Sequence, residues 1–495
     1  MKKTTFNIAI TAACLLCTVS CIKDLDIQQN GKLSASNMWK DAEDITSSTV
    51  GIYSNLRKNF AQTEINVFYW GELRVGEYMW GPSLQDGLLS ANGAVVLKNV
   101  MTSACTVASW ANLYSTIDQA NAVLKYAPSV DMKESDRSYA IGQAAFARAY
   151  CYFWAVRIWG DVPLTLKPIE SISQPETYPV RADKTEVYEQ IKNDIKLALD
   201  NASNLGNDKY FATENAVNML KAEYALWMYT NQKGGDSYLS MADEALTAIG
   251  ISGKGLNSNY ASIFDRTNKC SNEVIFALGN DQGEGLTGGY YTNYYFPNNF
   301  VAAAYRNNPV PIKSTQYWSY SKEFIDCLIA SKTKNNDSRV DCNLGFGDYG
   351  ITGNTLYWPN KFIGDMSGSS VILDADLMYY RYALAVMMDA ELKYYQGNYS
   401  GALKSLNLIA QRAYGKSEFY KDTSKEAVLQ ALCDEYFLEF PCEGVIWWAL
   451  IRLDKIWDYN PSLKERKQSD NILLWPITRD AINKNNKLTQ TPGWN

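Results

Sequence analysis

Apolar side chains recur three and four positions apart over two long stretches of this chain, which is the spacing of an amphipathic α-helix. The first stretch covers residues 110–127 and ends at Pro128. The second covers residues 136–159 and ends where Gly160 and Pro163 interrupt the pattern. Because proline and glycine break helices, each stretch predicts one helix with a defined end.

Two further segments carry a pattern of paired helices. In one, Ala222 and Glu223 precede Tyr238 and Ala242, and in the other AELKYYQGNYSGAL at residues 390–403 has the same order. This order resembles the helix-turn-helix unit of tetratricopeptide repeats, in which small residues let paired helices pack closely. Stacked pairs of this kind predict a helical scaffold.

The stretch between these segments differs in composition. Residues 250–375 are dense in Gly, Asn and Tyr, lose the helical period and hold only short strands such as 273–278. Long irregular segments in a compact fold are usually functional. We therefore expect a mainly α fold with a tetratricopeptide-like scaffold at 36–249 and 376–460, a loop-rich binding region with a few short strands at 250–375, and a C-terminal tail at 461–495.

Composition excludes several classes of chemistry. The chain has no histidine, which rules out Ser-His-Asp and Cys-His catalysis, HExxH sites and imidazole metal sites. Its 47 basic and 53 acidic residues give a net charge of −6 without a basic block, so no nucleic-acid partner is expected. The GxGxxG match at 283–288 precedes no helix, and Asp374 and Asp376 open a predicted helix whose dipole suits acids. No cofactor and no metal are expected.

The N-terminus carries the features of a secretory signal. Two lysines precede an apolar run at residues 6–19, and a small residue stands before Cys21. The run is too short to span a membrane as a helix, and no other window approaches the required length. We expect residues 1–20 to be a lipoprotein signal peptide and Cys21 to be the lipid anchor of the mature domain, 21–495. Plain secretion is the alternative.

Seven cysteines remain beyond the anchor, an odd number without CxxC spacing. We expect most of them to be small buried hydrophobic residues. A disulfide between Cys433 and Cys442, or between Cys327 and Cys342, stays open.

Aromatic residues are in excess, with 34 Tyr, 14 Trp and 16 Phe, and many fall in Gly- and Asn-rich segments that indicate surface loops. A sugar has an apolar C–H face and a rim of hydroxyls, so a glycan site needs flat rings beside amide, carboxylate or guanidinium groups. YWGELRVGEYMW at 69–80 and YYTNYYFPNN at 290–299 combine both, and two Tyr-Trp pairs follow at 317–318 and 357–358. These segments therefore predict a glycan site.

The candidate glycan-binding residues are Trp70, Arg74, Tyr78, Trp80, Tyr291, Asn293, Tyr294, Tyr295, Trp318 and Trp358. Trp80, Tyr294 and Trp318 are the leading candidates because they sit in non-helical sequence with polar neighbours. The alternative for each ring is that it packs a loop onto the helices.

Several segments in fixed order resemble the SusD/RagB family: GQAAFARAYCYFWAVRIWGDVPL at 142–164, VRADKTEVYEQIKNDIKLAL at 180–199, DEYFLEFPCEGVIWWALIR at 434–452 and LLWPITRDAINKNNKLTQTPGW at 473–494. The resemblance implies a lipid-anchored, surface-exposed protein of the outer membrane that binds glycans and passes them to a SusC-like TonB-dependent transporter for carbohydrate uptake.

Two details of the family motifs bear on packing. Tyr436, Ile446 and Ala449 stand where the family has Arg, Arg and Asp, so we expect a weaker salt-bridge network in this region. Arg148 and Asp161 recur in the family motif and are expected to pair structurally with each other rather than to touch ligand.

Two classes of function remain open at this stage. The first is a non-catalytic binding module, for glycans or, as in some relatives, for peptide cargo. The second is a glycoside hydrolase, which needs only two carboxylates at a set distance in one cleft and no histidine. Release of product from a panel of glycans distinguishes the two classes.

Overall fold

The computed structural model describes residues 38–62, 66–76, 79–80, 91–285, 302, 318–348, 355–362, 364–367, 370–464, 466 and 471–494. Helices dominate these residues, so the expected mainly α fold is confirmed. The helices are α1 (Ala42–Arg57), α2 (Asn66–Gly71), α3 (Ala91–Leu97), α4 (Ala111–Tyr126), α5 (Glu134–Trp159), α6 (Lys184–Asp200), α7 (Glu214–Asn231), α8 (Ser237–Ile249), α9 (Lys322–Asn335), α10 (Val340–Asn343), α11 (Tyr382–Tyr395), α12 (Tyr399–Tyr414), α13 (Lys425–Glu439), α14 (Ile446–Arg452), α15 (Ile456–Tyr459) and α16 (Arg479–Lys484).

Consecutive helices pack as pairs, with α4 on α5, α5 on α6, α7 on α8 and α11 on α12. The helices predicted at 110–127 and 136–159 are α4 and α5, and both predicted hairpins are present as α7–α8 and α11–α12. Helix α5 lies at the centre, because every residue from 142 to 160 is buried. A helix that is buried on all sides has no polar face, which explains why apolar and small residues make up most of this stretch, with Gln143, Arg148 and Arg157 as buried exceptions.

The one charged group that α5 buries near its middle is neutralised. Arg148 donates to both carboxylate oxygens of Asp194 on α6, at 2.8 and 2.6 Å, and to Oδ1 of Asn121 at 2.8 Å. Asp161 instead accepts from the backbone N–H of Lys184 at 3.0 Å. Arg148 is therefore a structural residue as expected, but the expected Arg148–Asp161 pair was wrong.

The described strands form two-stranded antiparallel sheets, β1 with β3, β2 with β8, β4 with β5 and β6 with β7. Their bounds are β1 (Met79–Trp80), β2 (Val274–Leu278), β3 (Ser319–Tyr320), β4 (Leu344–Asp348), β5 (Thr355–Pro359), β6 (Asp365–Ser367), β7 (Ser370–Ile372) and β8 (Leu377–Arg381). Strand β2 confirms the strand predicted at 273–278. The short strands connect loops to the scaffold and to each other rather than forming a separate layer.

Two local predictions in the 250–375 region were wrong. Helix α9 was missed there because it buries only one narrow stripe of side chains. Asp374 and Asp376 precede strand β8 and open no helix. Asp374 pairs with Arg266 at 2.6 Å, and Asp376 accepts from Oη of Tyr210 at 2.6 Å. Among the described residues no cluster of three or more metal-ligating side chains occurs.

All seven cysteines beyond the anchor are free thiols in the structure. Neither Cys433–Cys442 nor Cys327–Cys342 is bridged. Four of the seven are buried, in keeping with the expectation of small hydrophobic residues, whereas the Cys327 side chain is exposed. No described helix combines the length and the apolar character needed to cross a membrane.

Candidate binding site

Three of the aromatic segments selected from the sequence meet in the structure. Strand β1 pairs with β3, so that Met79 lies opposite Tyr320 and Trp80 lies opposite Ser319. Strand β5 lies against β3. The segments at 69–80, 317–318 and 357–358 therefore approach one another although more than 200 residues separate the first from the second.

Trp318 lies in the interior and not on the surface where strands β1, β3 and β5 meet. Its side chain is 0% exposed and packs against the rings of Phe68 and Tyr69, at centroid distances of 5.0 and 5.4 Å. The expectation that Trp318 faces solvent was wrong, because its ring holds the loop before β3 against α2. Removal of this ring would open a cavity rather than a binding surface.

Trp70 and Arg74 are also buried. Trp70 donates its indole N–H to the carbonyl of Val107 at 3.0 Å. Arg74 donates to Oδ1 of Asn99 at 2.6 Å and to the carbonyl of Leu473 at 2.8 Å, and its guanidinium lies 4.4 Å from the ring centre of Trp447. Burial lowers the pKa of Arg74 to about 9. Trp70 and Arg74 attach residues 70–74 to the segment between α3 and α4 and to the C-terminal tail. Neither side chain is therefore available to a ligand here.

The hairpin of β4 and β5 shows which ring of its Tyr-Trp pair faces outward. Trp358 is buried and lies opposite Gly345, where an added Cβ would come within 2.1 Å of the indole nitrogen. Glycine is therefore required at 345 because the Trp358 ring covers the backbone. Successive strand residues point to opposite faces, so Tyr357 points away from Trp358. The choice of Trp358 as a glycan contact selected the inward ring.

An aromatic pair lies on the outward face of this hairpin. Phe346 lies directly opposite Tyr357 in the register, and their ring centroids are 6.4 Å apart. Phe346 is 63% exposed, whereas Tyr357 is half-buried. Phe346 was not among the candidates from the sequence. Its signal was present, because a lone aromatic between two glycines in LGFGD has the alternation of a strand with one exposed face.

The remaining candidates are six residues of the 69–80 and 290–299 segments. Tyr78, Tyr291, Asn293, Tyr294 and Tyr295 lie outside the described residues. Trp80 lies in β1 by its backbone, and its side chain is not described. These six residues stay predictions.

A buried ion cluster holds the loops next to α10, β5 and β8. It contains four cations and five carboxylates: Arg339, Lys361, Arg381, Arg412, Asp337, Glu273, Glu435, Glu439 and Glu443. Arg339 immediately precedes α10 and β4, Lys361 follows β5, and Arg381 ends β8. Each of these loops is therefore anchored by a charge at the point where it leaves the scaffold.

Arg381 binds three carboxylates of the cluster, as does Arg339. Its guanidinium lies 2.6 Å from Glu443, 2.7 Å from Glu439 and 2.8 Å from Glu273. Burial alone would lower the pKa of Arg381, but these carboxylates outweigh it and raise the pKa well above its usual value. Three arginines outweigh burial in the same way at Glu439, whose pKa is lowered. Opposite charges thus offset the cost of burying each group.

The 434–452 segment takes part in buried charge pairs. Tyr436 donates its hydroxyl to Glu391, which also accepts two hydrogen bonds from Arg452, at 2.9 and 2.7 Å. Arg339 and Arg381 bind Glu439 from outside the segment. The expectation of a weaker salt-bridge network than in the family stays a prediction.

Glu72 joins the turn after helix α2 to the segment that contains Glu443 of the ion cluster. One oxygen, Oε1, accepts from the backbone N–H of Glu443 at 3.0 Å and of Gly444 at 2.7 Å. The other oxygen is buried without a hydrogen-bond partner. Burial raises the pKa of Glu72 to about 8, and the neighbouring Glu443 adds to the rise. Near neutral pH the carboxyl of Glu72 is therefore largely protonated.

Two family models match the chain. One, described as the SusD family, matches residues 334–494, and the other, described as starch-binding associating with outer membrane, matches residues 87–222. Together they cover more than half of the chain.

Curated relatives agree with these matches. SusD-like protein P38 of Formosa agariphila is 24% identical, over 98% of this chain and 98% of the relative. A SusD-like protein of Bacteroides ovatus is 31% identical, over 34% of this chain and 32% of its own length.

Solved structures share the fold. A SusD superfamily protein from Bacteroides fragilis has a TM-score of 0.77 at 22% identity, over 92% of this chain and 100% of that one. Surface glycan-binding protein A from Bacteroides thetaiotaomicron, in complex with laminarihexaose, has a TM-score of 0.70 at 20% identity, over 91% of this chain and 99% of that one. By its family models, its relatives along the whole length and its fold, this chain belongs to the SusD/RagB family.

Proposed function

We propose that this protein is a cell-surface lipoprotein of the outer membrane that binds glycans and passes them to a SusC-like TonB-dependent transporter. The observation that carries the glycan part is the exposed ring of Phe346, with the half-buried Tyr357 opposite it, beside the paired β1 and β3 strands. A related fold, surface glycan-binding protein A, is named for glycan binding and was solved with laminarihexaose. Membership of the family supports the same class of ligand.

The geometry of the hairpin suits a sugar ring. Phe346 and Tyr357 lie opposite each other on the outward face of the hairpin, and the buried Trp358 holds its other face, so the strands that carry Phe346 are fixed before a ligand binds. Sugar C–H faces stack on such rings, and polar groups of the surrounding loops bind the hydroxyls. Trp80 and Tyr294 remain proposed contacts because they lie in non-helical sequence with polar neighbours.

Loss of single candidate rings should weaken binding without unfolding the protein. Phe346→Ala, Trp80→Ala and Tyr294→Ala should each reduce glycan affinity about tenfold or more, which is roughly 1.4 kcal/mol. The proposal requires melting temperatures within a few degrees of wild type, because a ring that stacks on a sugar is not part of the core. The measurement is calorimetric titration with the best ligand from a panel of polysaccharides and peptides.

Trp318→Ala serves as the matched control for this series, because its ring is buried. It should melt earlier than the three other variants. The proposal fails if Phe346→Ala, Trp80→Ala and Tyr294→Ala all bind glycan as wild type does, or if only peptides of the panel bind.

The carboxylates of the ion cluster do not favour hydrolysis. Each is held by arginine or lysine in the interior, so the cluster offers no acid and nucleophile facing a cleft. The same panel tests the point, because release of shorter products would indicate a hydrolase.

An exposed apolar segment is the proposed contact with the transporter. Five large apolar side chains are exposed within residues 166–180, and Ile172 is 86% exposed. The described chain begins beside this segment, since Trp39 stacks on Tyr126 at 5.0 Å and Tyr126 donates to Glu170. If Cys21 carries the lipid, this side faces the membrane that holds the transporter.

Two attachments should therefore hold the protein at the outer membrane. Cys21→Ala should release only part of it, because one attachment remains, and adding Ile172→Ser should release the rest. In mild detergent, Ile172→Ser alone should lower recovery of a large TonB-dependent barrel about fivefold or more.

Ile329→Ser removes another exposed apolar side chain, on α9, and should leave the recovery unchanged. Retention of all Cys21→Ala protein on membranes after high salt would contradict the anchor. Recovery of no barrel with wild type would contradict the transporter contact.

A further inference from the structure

A cavity of about 430 Å³ opens between α9, α13, the loop after α12 and the end of α15. Neither Phe346 nor Tyr357 lines it. Its volume is within the range of cavities that hold small ligands. It is therefore a place where a ligand could bind apart from the hairpin face.

Aromatic rings form two walls of this cavity. Phe419 stacks on Tyr414 at a centroid distance of 4.2 Å and an interplanar angle of 30°. Across the cavity, Phe437 lies 4.8 Å from Tyr459. Tyr420 adds a further ring beside Phe419. Flat rings on both sides suit a flat or ring-shaped ligand.

The buried ion cluster holds the first wall in place. The hydroxyls of Tyr414 and Tyr420 both donate to Oε1 of Glu435, at 2.7 and 2.6 Å. Glu435 in turn accepts from Arg339 at 2.6 Å through its other oxygen. These tyrosine rings are thus fixed before any ligand arrives, which reduces the entropy lost on binding.

Polar groups lie between the walls. Gln430 donates to Oδ1 of Asp434 at 2.7 Å and to Oη of Tyr459 at 3.3 Å. Both Gln430 and Asp434 line the cavity, and their second oxygens, Oε1 and Oδ2, can accept further hydrogen bonds. Lys334 and Asn335, at the end of α9, bring donors to its rim. Partial loss of contact with water raises the pKa of Asp434.

We propose that this cavity is a second carbohydrate site that takes one or two neutral sugar residues. A sugar places its C–H faces on the rings and its hydroxyls on Gln430, Asp434 and Asn335. The side chains of Gln430 and Asp434 are exposed to water, and a purely aromatic ligand would offer them no hydrogen bonds in place of that water. An acidic sugar would meet the carboxyls of Asp434 and Glu323. The choice of ligand class rests on the proposed function, but the site does not share its residues.

Cys327 offers a local reporter, because its exposed thiol lines the cavity. Alkylation of the intact protein with iodoacetamide, read by peptide mass spectrometry, follows this thiol separately from Cys270 and Cys342. The probes are glucose, galactose, xylose, N-acetylglucosamine, laminaribiose and cellobiose, with phenol and glucuronate as contrasting ligands. At least one neutral sugar should slow alkylation of Cys327 about fivefold or more at saturation, and glucuronate should not.

Variants assign the protection to the cavity. Phe419→Ala and Gln430→Ala should abolish it, whereas Lys322→Ala, at an exposed position of α9 outside the lining, should not. Phe346→Ala should also leave it intact, which separates failure of this site from failure of the hairpin face. Protection by phenol alone, by no sugar, or equally in Phe419→Ala and Gln430→Ala would overturn the proposal.

Discussion

Replacing Arg381 with alanine should lower the free energy of unfolding by about 3–5 kcal/mol, the range for breaking a buried ion pair from one side. The guanidinium binds Glu273, Glu439 and Glu443 at once, and all four side chains are at most 3% exposed. Its removal leaves carboxylates in the interior without their main partner. Urea unfolding followed by tryptophan fluorescence measures the loss.

Graded variants make this prediction specific. Arg381→Lys keeps the charge but lacks the planar fork that reaches three carboxylates, so its loss should be intermediate. Lys196→Ala removes one partner of the Lys196–Asp200 pair, whose side chains are 74% and 54% exposed, and should cost less than about 1 kcal/mol. An Arg381→Ala protein as stable as Lys196→Ala would show that the ion cluster does not hold the loops.

Glu72→Gln should make the protein more stable at alkaline pH, by up to about 4 kcal/mol near pH 9 at roughly 1.4 kcal/mol per pKa unit. The pKa of Glu72 rises on folding from its usual 4.5 to about 8 because the carboxyl is buried. The folded state therefore holds a proton that the unfolded chain releases. The stability linked to this proton is complete below about pH 4.5 and is lost as the pH rises through about 8.

Glutamine cannot ionise, so the variant should lack this part of the pH dependence. Its amide oxygen can still accept from the N–H groups of Glu443 and Gly444. Near pH 5 the variant should differ from wild type by no more than about 1–2 kcal/mol. Glu189→Gln, at a carboxyl that is 61% exposed, should leave the pH profile of wild type unchanged. Parallel profiles for Glu72→Gln and wild type would contradict the prediction.

The helices of the scaffold could be predicted because their evidence is local. The ends of α4 and α5 follow from Pro128 and Gly160, and the α7–α8 and α11–α12 pairs follow from spacing within a single hairpin. Periodicity reports which face of a helix is apolar, and short connections make neighbours pack. Helix α9 was not predicted, because three buried side chains over about four turns give too weak a hydrophobic periodicity.

The candidate site was predictable in part. The sequence indicated aromatic segments, and the pairing of β1 with β3 brings two of them together. An excess of aromatic residues does not distinguish a ring that packs in the core from a ring that binds a ligand, because both contacts use the same apolar ring face. Trp318 and Trp358 are buried, whereas Phe346, which was not selected, is exposed. The glycines on both sides of Phe346 were the one local sign of its orientation.

The sequence by itself determined the helical pairs and the family, because each depends on residues close together in the chain or in a fixed order, and it predicts a signal segment with Cys21 as the lipid anchor. Only the tertiary structure decided which described rings face solvent, how Arg339, Arg381 and Arg412 all bind Glu439, and where the cavity beside Cys327 lies. The physical reason is that burial and charge pairing depend on contacts between distant segments. Arg381 meets Glu273 across 108 positions of the chain, and no local pattern records that contact.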